Sequence, residues 1–311
     1  MRMLAIAQRV RAIPLVVSLL IVPTRFLPSS IASSVATQDY DVVILHGRVI
    51  DPESKLDAIR NIGINQGTIQ AITDDQIIGR ITIDAKGLIV SPGFIDLHVH
   101  DMDEQNHRFE AMDGVTTAME LEVGTADVDR WYAERDGKRL INYGVSIGHI
   151  KVRMSLMHDP SKALLPSGDA TRRVASEAEI EKMKRHIEHG LKRGAVAVGF
   201  GIAYTAAASH WEILEMFRAA ASFGAPCFVH LRHLGDKEPN SIQALEEVIA
   251  AAMISGAPLH AVHIQSTGGR ATPRLLQMIS EAQSHGLDVT TECYPYTAGM
   301  TAIESATFNE G

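Results

Sequence analysis

His98 and His100 stand two residues apart in the run Phe94-Ile95-Asp96-Leu97-His98-Val99-His100. Along a β-strand, residues i and i+2 project to the same face. The pair therefore presents two imidazoles side by side, which suits a divalent transition metal held about 2 Å from each nitrogen. Two more histidines lie in comparable settings. His230 closes the apolar run Pro226–Val229, and His263 lies in Leu259–Ile264. Glu292 ends a third run, roughly thirty residues further on, the length of one βα unit.

The elements that would position these residues have a clear rhythm. Strand-like runs occur at Ile89–His100, Val115–Glu122, Tyr143–His149, Ala195–Phe200, Cys227–Leu231, Leu259–Ile264 and Leu287–Glu292. Between them, Glu177–Arg193, His210–Phe223, Ser241–Ser255 and Pro273–His285 have apolar residues at helical spacing. Strand–helix alternation predicts an α/β fold with a parallel sheet. About seven strands with functional residues at their C-terminal ends predict an incomplete TIM-like (β/α)8 barrel, because those ends share one mouth. His98, His100, His230 and His263 would meet there. No GxGxxG follows the first run, which argues against a dinucleotide-binding sheet.

Residues 39–87 read differently. Tyr40–Ile50, two runs either side of Asn65-Gln66-Gly67, and Ile81–Ile83 predict a small all-β module ahead of a barrel spanning 88–311. Residues 1–36 combine Arg2, Arg9 and Arg11 with an apolar stretch Ala12–Val22 and a small-residue exit. That is the layout of a secretory signal, too short for a stable membrane span. Export to the periplasm or medium is the expectation, or the cytoplasm if the start codon lies elsewhere. The formal charge of −8 argues against a nucleic-acid partner. The two cysteines, Cys227 and Cys293, form neither a disulfide framework nor a zinc-finger spacing.

The motifs SPGFIDLHVHD (91–101), DGVTT (113–117), GHIKVR (148–153), GAVAVGFGIAY (194–204), HLRH (230–233), HIQSTGG (263–269) and ECYPYTAGMT (292–301) resemble the amidohydrolase superfamily. Within it, the chain is similar to the N-acyl-D-amino-acid deacylase, or D-aminoacylase-like, family. The resemblance runs from about Asp39 to Thr301. It implies a β-sandwich portion beside the barrel, and one or two Zn2+ ions on His98, His100, His230 and His263. It implies hydrolysis of a linear amide by water whose pKa the metal lowers, with a small-molecule N-acyl amino acid as substrate. The stretch WYAERDGK (131–138) looks most like the deacylases of N-acyl-D-glutamate.

A two-metal site needs a bridging anion. The fourth predicted strand holds no lysine, and Val123 stands where D-aminoacylases have a cysteine. Glu120 and Glu122 share a strand face by the period of two, so Glu122, or failing it Glu120, is the candidate ligand or bridge. The family motifs also point to His149, Arg153, Tyr204, Arg232 and Tyr294 as candidate substrate contacts. Arg232 would share a face with His230 if the strand persisted. The superfamily's general base is an aspartate on an eighth strand. None follows Thr301, so the catalytic base is unassigned and the chain reads as C-terminally truncated, with little or no turnover expected from it alone. The alternatives are a cyclic-amide hydrolase of the dihydroorotase or hydantoinase type and a non-catalytic metal-binding remnant.

Overall fold

The computed structural model describes residues 39–100 and 102–301. The leader-like pattern over 1–36 lies outside them. The chain divides between Ser91 and Pro92 into two compact units.

The first unit is a five-stranded mixed sheet. Its strands are β1 (Asp39–Asp51), β2 (Leu56–Asn65), β3 (Thr68–Thr73), β4 (Ile78–Asp84) and β5 (Ile89–Val90). They run in the order β3-β2-β1-β4, with β5 alongside β1. Gln66 and Gly67 both take positive φ, the backbone of a tight hairpin turn between β2 and β3. Among the described residues this unit is one sheet, not two layers of a sandwich.

The second unit has seven parallel strands: β6 (Phe94–Asp96), β7 (Val115–Thr125), β8 (Asn142–Gly148), β9 (Val198–Gly201), β10 (Cys227–His230), β11 (Leu259–Ala261) and β12 (Val289–Thr291). They pair in sequence order from β6 to β12. The described helices are α1 (Glu104–Met112), α2 (Val128–Ala133), α3 (His149–Leu156), α4 (Asp169–Arg172), α5 (Glu177–Lys192), α6 (His210–Ala221), α7 (Ser241–Ser255), α8 (Ile264–Gly268) and α9 (Thr272–Ser284). None is long and apolar enough to cross a membrane.

Local chemistry sets these helices. Ser176 and Glu179 form a reciprocal capping box at the start of α5. Ile180, Met183 and Ile187 then fall on one buried face at helical spacing. Full burial of one such side chain stabilises the fold by about 2 kcal/mol. Asn240 and Gln243 repeat the capping box at α7.

The sheet curls far enough that residues beyond its two edge strands meet. His98, just past β6, contacts Glu292, just past β12, at 2.7 Å. This is the arrangement of an incomplete TIM-like barrel. Inside it, Leu121, Ala197, Phe228 and Val262 form a small apolar cluster separate from the helix-facing core.

Several strands differ from expectation. The run Ile89–His100 is split, because Pro92-Gly93 interrupts it. Ile89–Val90 joins the first unit, and Phe94–Asp96 opens the second. The run Tyr143–His149 ends at Gly148, and His149 begins α3. β10 and β11 stop at His230 and Ala261.

Candidate metal centre

β7 carries the two glutamates through an irregularity. Glu120 pairs with Val145 and Thr125 with Ile147, so β7 advances five residues where β8 advances two. The bulge leaves ladder groups without strand partners. Glu120 Oε1 accepts from two of them, the N–H groups of Val123 (3.1 Å) and Gly124 (3.3 Å). The bulged backbone packs tightly on its neighbours. A Cβ on Gly199 would lie 2.2 Å from Glu122 O, and one on Gly148 would lie 1.8 Å from Val123 O. Only glycine lets the strands approach so closely.

The bulge aims Glu122 into the mouth. Its Oε2 lies 2.5 Å from His98 Nε2, 3.8 Å from His100 Nε2 and 3.5 Å from His263 Nε2. Its Oε1 lies 3.1 Å from His230 Nδ1. His98 Nε2 and His100 Nε2 are 3.3 Å apart, and His263 Nε2 and His230 Nδ1 are 3.1 Å apart. Two triads result, His98–His100–Glu122 and Glu122–His230–His263, with Glu122 common to both. All four histidines and Glu122 from the sequence reading are thus brought together. His263 holds φ +33°, a left-handed conformation unusual outside glycine. That turn swings its ring back towards His230 as the chain enters α8.

The donor set fits a divalent metal on geometry and charge. Two nitrogens at about 2.0–2.1 Å from a tetrahedral zinc ion stand about 3.3 Å apart, close to both observed spacings. The environment also demands positive charge. Burial opposes protonation of His98, yet the flanking carboxylates of Glu122 and Glu292 outweigh it and push the ring up to about 10. Burial likewise opposes ionisation of Glu122, but His230, His263 and His98 hold it well below its usual value. Burial holds His230 below its ordinary range despite Glu122, so it is neutral, as a ligand must be.

Glu120 is not placed as a ligand. Its Oε2 accepts from His100 Nδ1 at 2.9 Å and its other oxygen serves the bulge, so neither oxygen faces the triads. The reading of Glu120 as a second candidate ligand is corrected accordingly. Both glutamates do reach the His100 ring, Glu120 at Nδ1 and Glu122 near Nε2, as the period of two predicts, but only Glu122 is common to the two triads.

Three expected substrate contacts are elsewhere. His149 and Arg153 lie on α3, fully buried around Glu212. His149 Nε2 is 2.8 Å from Glu212 Oε1, and Arg153 Nη1 binds both Glu212 oxygens. Arg153 Nε donates to Ala170 O at 2.7 Å, and Nη2 donates to Arg173 O. Four of its five N–H groups are engaged in this way, and the fully buried guanidinium serves the Glu212 carboxylate rather than an exposed substrate face. Arg232 is engaged as well. It forks onto Glu247 at 2.8 and 2.7 Å and donates to Ala206 O at 3.0 Å. The strand ends at His230, so the shared-face argument does not carry to Arg232.

Tyr204 and Tyr294 do border the cluster. The Tyr204 ring is 4.7 Å from that of His230, and the Tyr294 ring is 6.4 Å from that of His263. Burial and the charge of Glu122 push the Tyr204 hydroxyl up to about 12, so it remains a donor.

Glu292 was missed as a site residue. Besides contacting His98, its Oε2 lies 3.5 Å from His260 Nε2. The signal was present, since Glu292 directly follows β12 at the C-terminal rim where His230 ends β10. Glu212 was also missed. It sits in the first turn of α6, where a glutamate reads as an ordinary helix-start residue and nothing in the sequence marks its buried partners.

A profile of the Amidohydrolase family matches residues 82–137. D-aminoacylase from Alcaligenes xylosoxydans xylosoxydans is 26% identical over 305 residues, covering 86% of this chain and 60% of its own length. N-acyl-D-glutamate deacylase from the same organism is 27% identical over 299 residues, covering 85% and 58%. The chain thus spans about three-fifths of the length of these curated relatives. The crystal structure of N-acyl-D-glutamate deacylase from Bordetella bronchiseptica, complexed with zinc and a phosphonate mimic of the tetrahedral intermediate, superposes with a TM-score of 0.70 at 26% identity. That match covers 83% of this chain and 59% of that one. Over residues 82–137 the chain thus matches the Amidohydrolase family, and over most of its length it is homologous to D-aminoacylase and N-acyl-D-glutamate deacylase.

Proposed function

We propose that this chain carries the metal centre of a deacylase that hydrolyses the linear amide of N-acyl-D-amino acids, with N-acyl-D-glutamate the first substrate to try. One observation supports this above all: Glu122 is shared by two imidazole pairs whose spacings match zinc coordination. His98, His100, Glu122, His230 and His263 would hold one or two Zn2+ ions. Bound zinc supplies an activated water near neutral pH and polarises the scissile carbonyl.

The chain's own side chains then do three things. Glu122 balances charge between the two imidazole pairs. Tyr204 keeps its proton and stands beside His230, placed to donate to an oxygen of the substrate. Phe228 shares the face of His230 two residues earlier, and with Leu121, Ala197 and Val262 it shields the buried side of the cluster from water. Tyr294 flanks His263 and would bound the substrate on that side. An exported location rests on the leader-like pattern of residues 1–36.

The test is zinc analysis of the purified chain, with release of acetate from N-acetyl-D-glutamate measured against ring opening of dihydroorotate. One or two equivalents of zinc are expected, with turnover by the chain alone low and in favour of acyl release over ring opening. A folded chain that retains no divalent ion rejects the metal centre. Ring opening without acyl release rejects the deacylase reading.

A further inference from the structure

His98 and His100 share a feature that the other two imidazoles lack. Each gives its Nδ1 to a carboxylate that stands outside both triads. His98 Nδ1 meets Glu292 Oε1 at 2.7 Å, and His100 Nδ1 meets Glu120 Oε2 at 2.9 Å. His263 Nδ1 meets only a hydroxyl, Thr267 Oγ1, at 3.3 Å, and His230 Nε2 is buried with no hydrogen-bond partner. An ionised carboxylate can only accept. Each of these Nδ1 atoms therefore carries a hydrogen directed outwards, which leaves each Nε2 as the nitrogen that would bind a metal in place of its own proton. The two Nε2 atoms converge to 3.3 Å beside Glu122.

Glu292 comes from the opposite edge of the sheet, just past β12, and its side chain is 22% exposed. Its second oxygen lies 3.5 Å from His260 Nε2, too far for a hydrogen bond but near enough for attraction. His260 is itself fixed through Nδ1 to Thr290 Oγ1 at 2.8 Å. Glu292 is thus held beside His98 by the strand that carries it and by its neighbour on β11.

We propose that Glu292 is a positioning residue for the metal centre: it is not a ligand, but it fixes the orientation and tautomer of His98, as Glu120 does for His100. This rests on the metal-centre reading above. A carboxylate on the far nitrogen of a metal-binding imidazole holds the ring in place and strengthens it as a donor. Loss of such a partner typically weakens metal binding by about 10- to 100-fold. The contact also joins the two ends of the curled sheet through a side-chain bond. The sequence positions 98 and 292 alone do not reveal that link.

The experiment measures zinc affinity by competition with a chromogenic chelator for the 311-residue chain and its Glu292→Gln, His98→Ala and double variants. Glu292→Gln should weaken binding by about 10- to 100-fold while zinc at saturation still fills the wild-type number of sites. In the His98→Ala background, Glu292→Gln should produce no further loss, because the residue acts through His98. A purely structural role would give losses that multiply. Unchanged affinity in Glu292→Gln, or multiplying losses in the double variant, overturns the proposal. If Glu292→Gln fails to fold, Glu292→Asp takes its place. Aspartate keeps the charge but retracts it by one methylene, so an intermediate loss is expected and an unchanged affinity refutes. Wild-type chain that binds no zinc removes the metal centre itself, a result distinct from unchanged affinity in the variant.

Discussion

Glu122 on β7 reaches His230 at the end of β10 with a 3.1 Å contact between Oε1 and Nδ1. Its other oxygen faces His98 from β6's end of the sheet at 2.5 Å. One carboxylate therefore links imidazoles from both sides of the mouth, and Glu122→Gln should have the largest effect on metal content. We expect loss of at least one equivalent of bound zinc and a fall in affinity beyond the roughly 100-fold upper range of outer partners. Elemental analysis after gel filtration checks this, and full zinc content in the variant would refute it.

Gly199 should behave as part of the site although it carries no side chain. A Cβ there would meet the Glu122 and Leu121 carbonyl oxygens at 2.2 and 2.5 Å. Backbone atoms cannot yield as a flexible side chain would. Gly199→Ala should cost about 1–3 kcal/mol of stability and displace the bulge that aims Glu122. A lowered thermal midpoint together with reduced zinc content is the expected pair of results.

Glu212 neutralises Arg153 in a fully buried setting beside His149. Glu212→Gln would leave the guanidinium charge uncompensated, which costs about 3–5 kcal/mol. Denaturant titration should register that loss. Gln at this position should leave saturating zinc content unchanged in whatever fraction remains folded.

The same carboxylate predicts a pH response. Burial alone would raise its pKa, but His149 and Arg153 prevail and hold it below 4.5. A carboxyl depressed in the folded state contributes stability above its unfolded value. That contribution is lost as pH falls through the lower, folded value. The urea midpoint should therefore be steady near neutrality and decline below about pH 4.5. In Glu212→Gln this part of the acid decline should be absent.

Arg232 is expected to act on stability rather than on substrate affinity. Its fork is taken by Glu247 on α7, with both side chains largely buried. Arg232→Ala should destabilise by about 3 kcal/mol through the stranded Glu247 charge. KM for an active substrate should stay within about twofold, the variation expected when no substrate contact is removed. A KM rise of tenfold or more without loss of stability would restore Arg232 as a substrate contact.

Much of the site was legible because strand ends are marked in the sequence. Each of His98, His100, His230 and His263 follows an apolar run, and a parallel barrel brings such ends to one rim. The helix limits were legible for a similar local reason. Capping residues such as Ser176 and Asn240 mark where α5 and α7 begin. The roles of Glu120, Arg153 and Arg232 were not legible. Each depends on a partner distant in the chain.

The sequence by itself determined the alternation of strands and helices, the four imidazoles and a carboxylate at position 122 or 120, since these follow from local pattern and residue chemistry. Only the tertiary structure decided between the glutamates, turned His149, Arg153 and Arg232 inward to buried carboxylates, and brought Glu292 to His98. Those outcomes depend on the register shift in β7 and on the curl of the sheet, and both arise from packing between residues up to 194 positions apart.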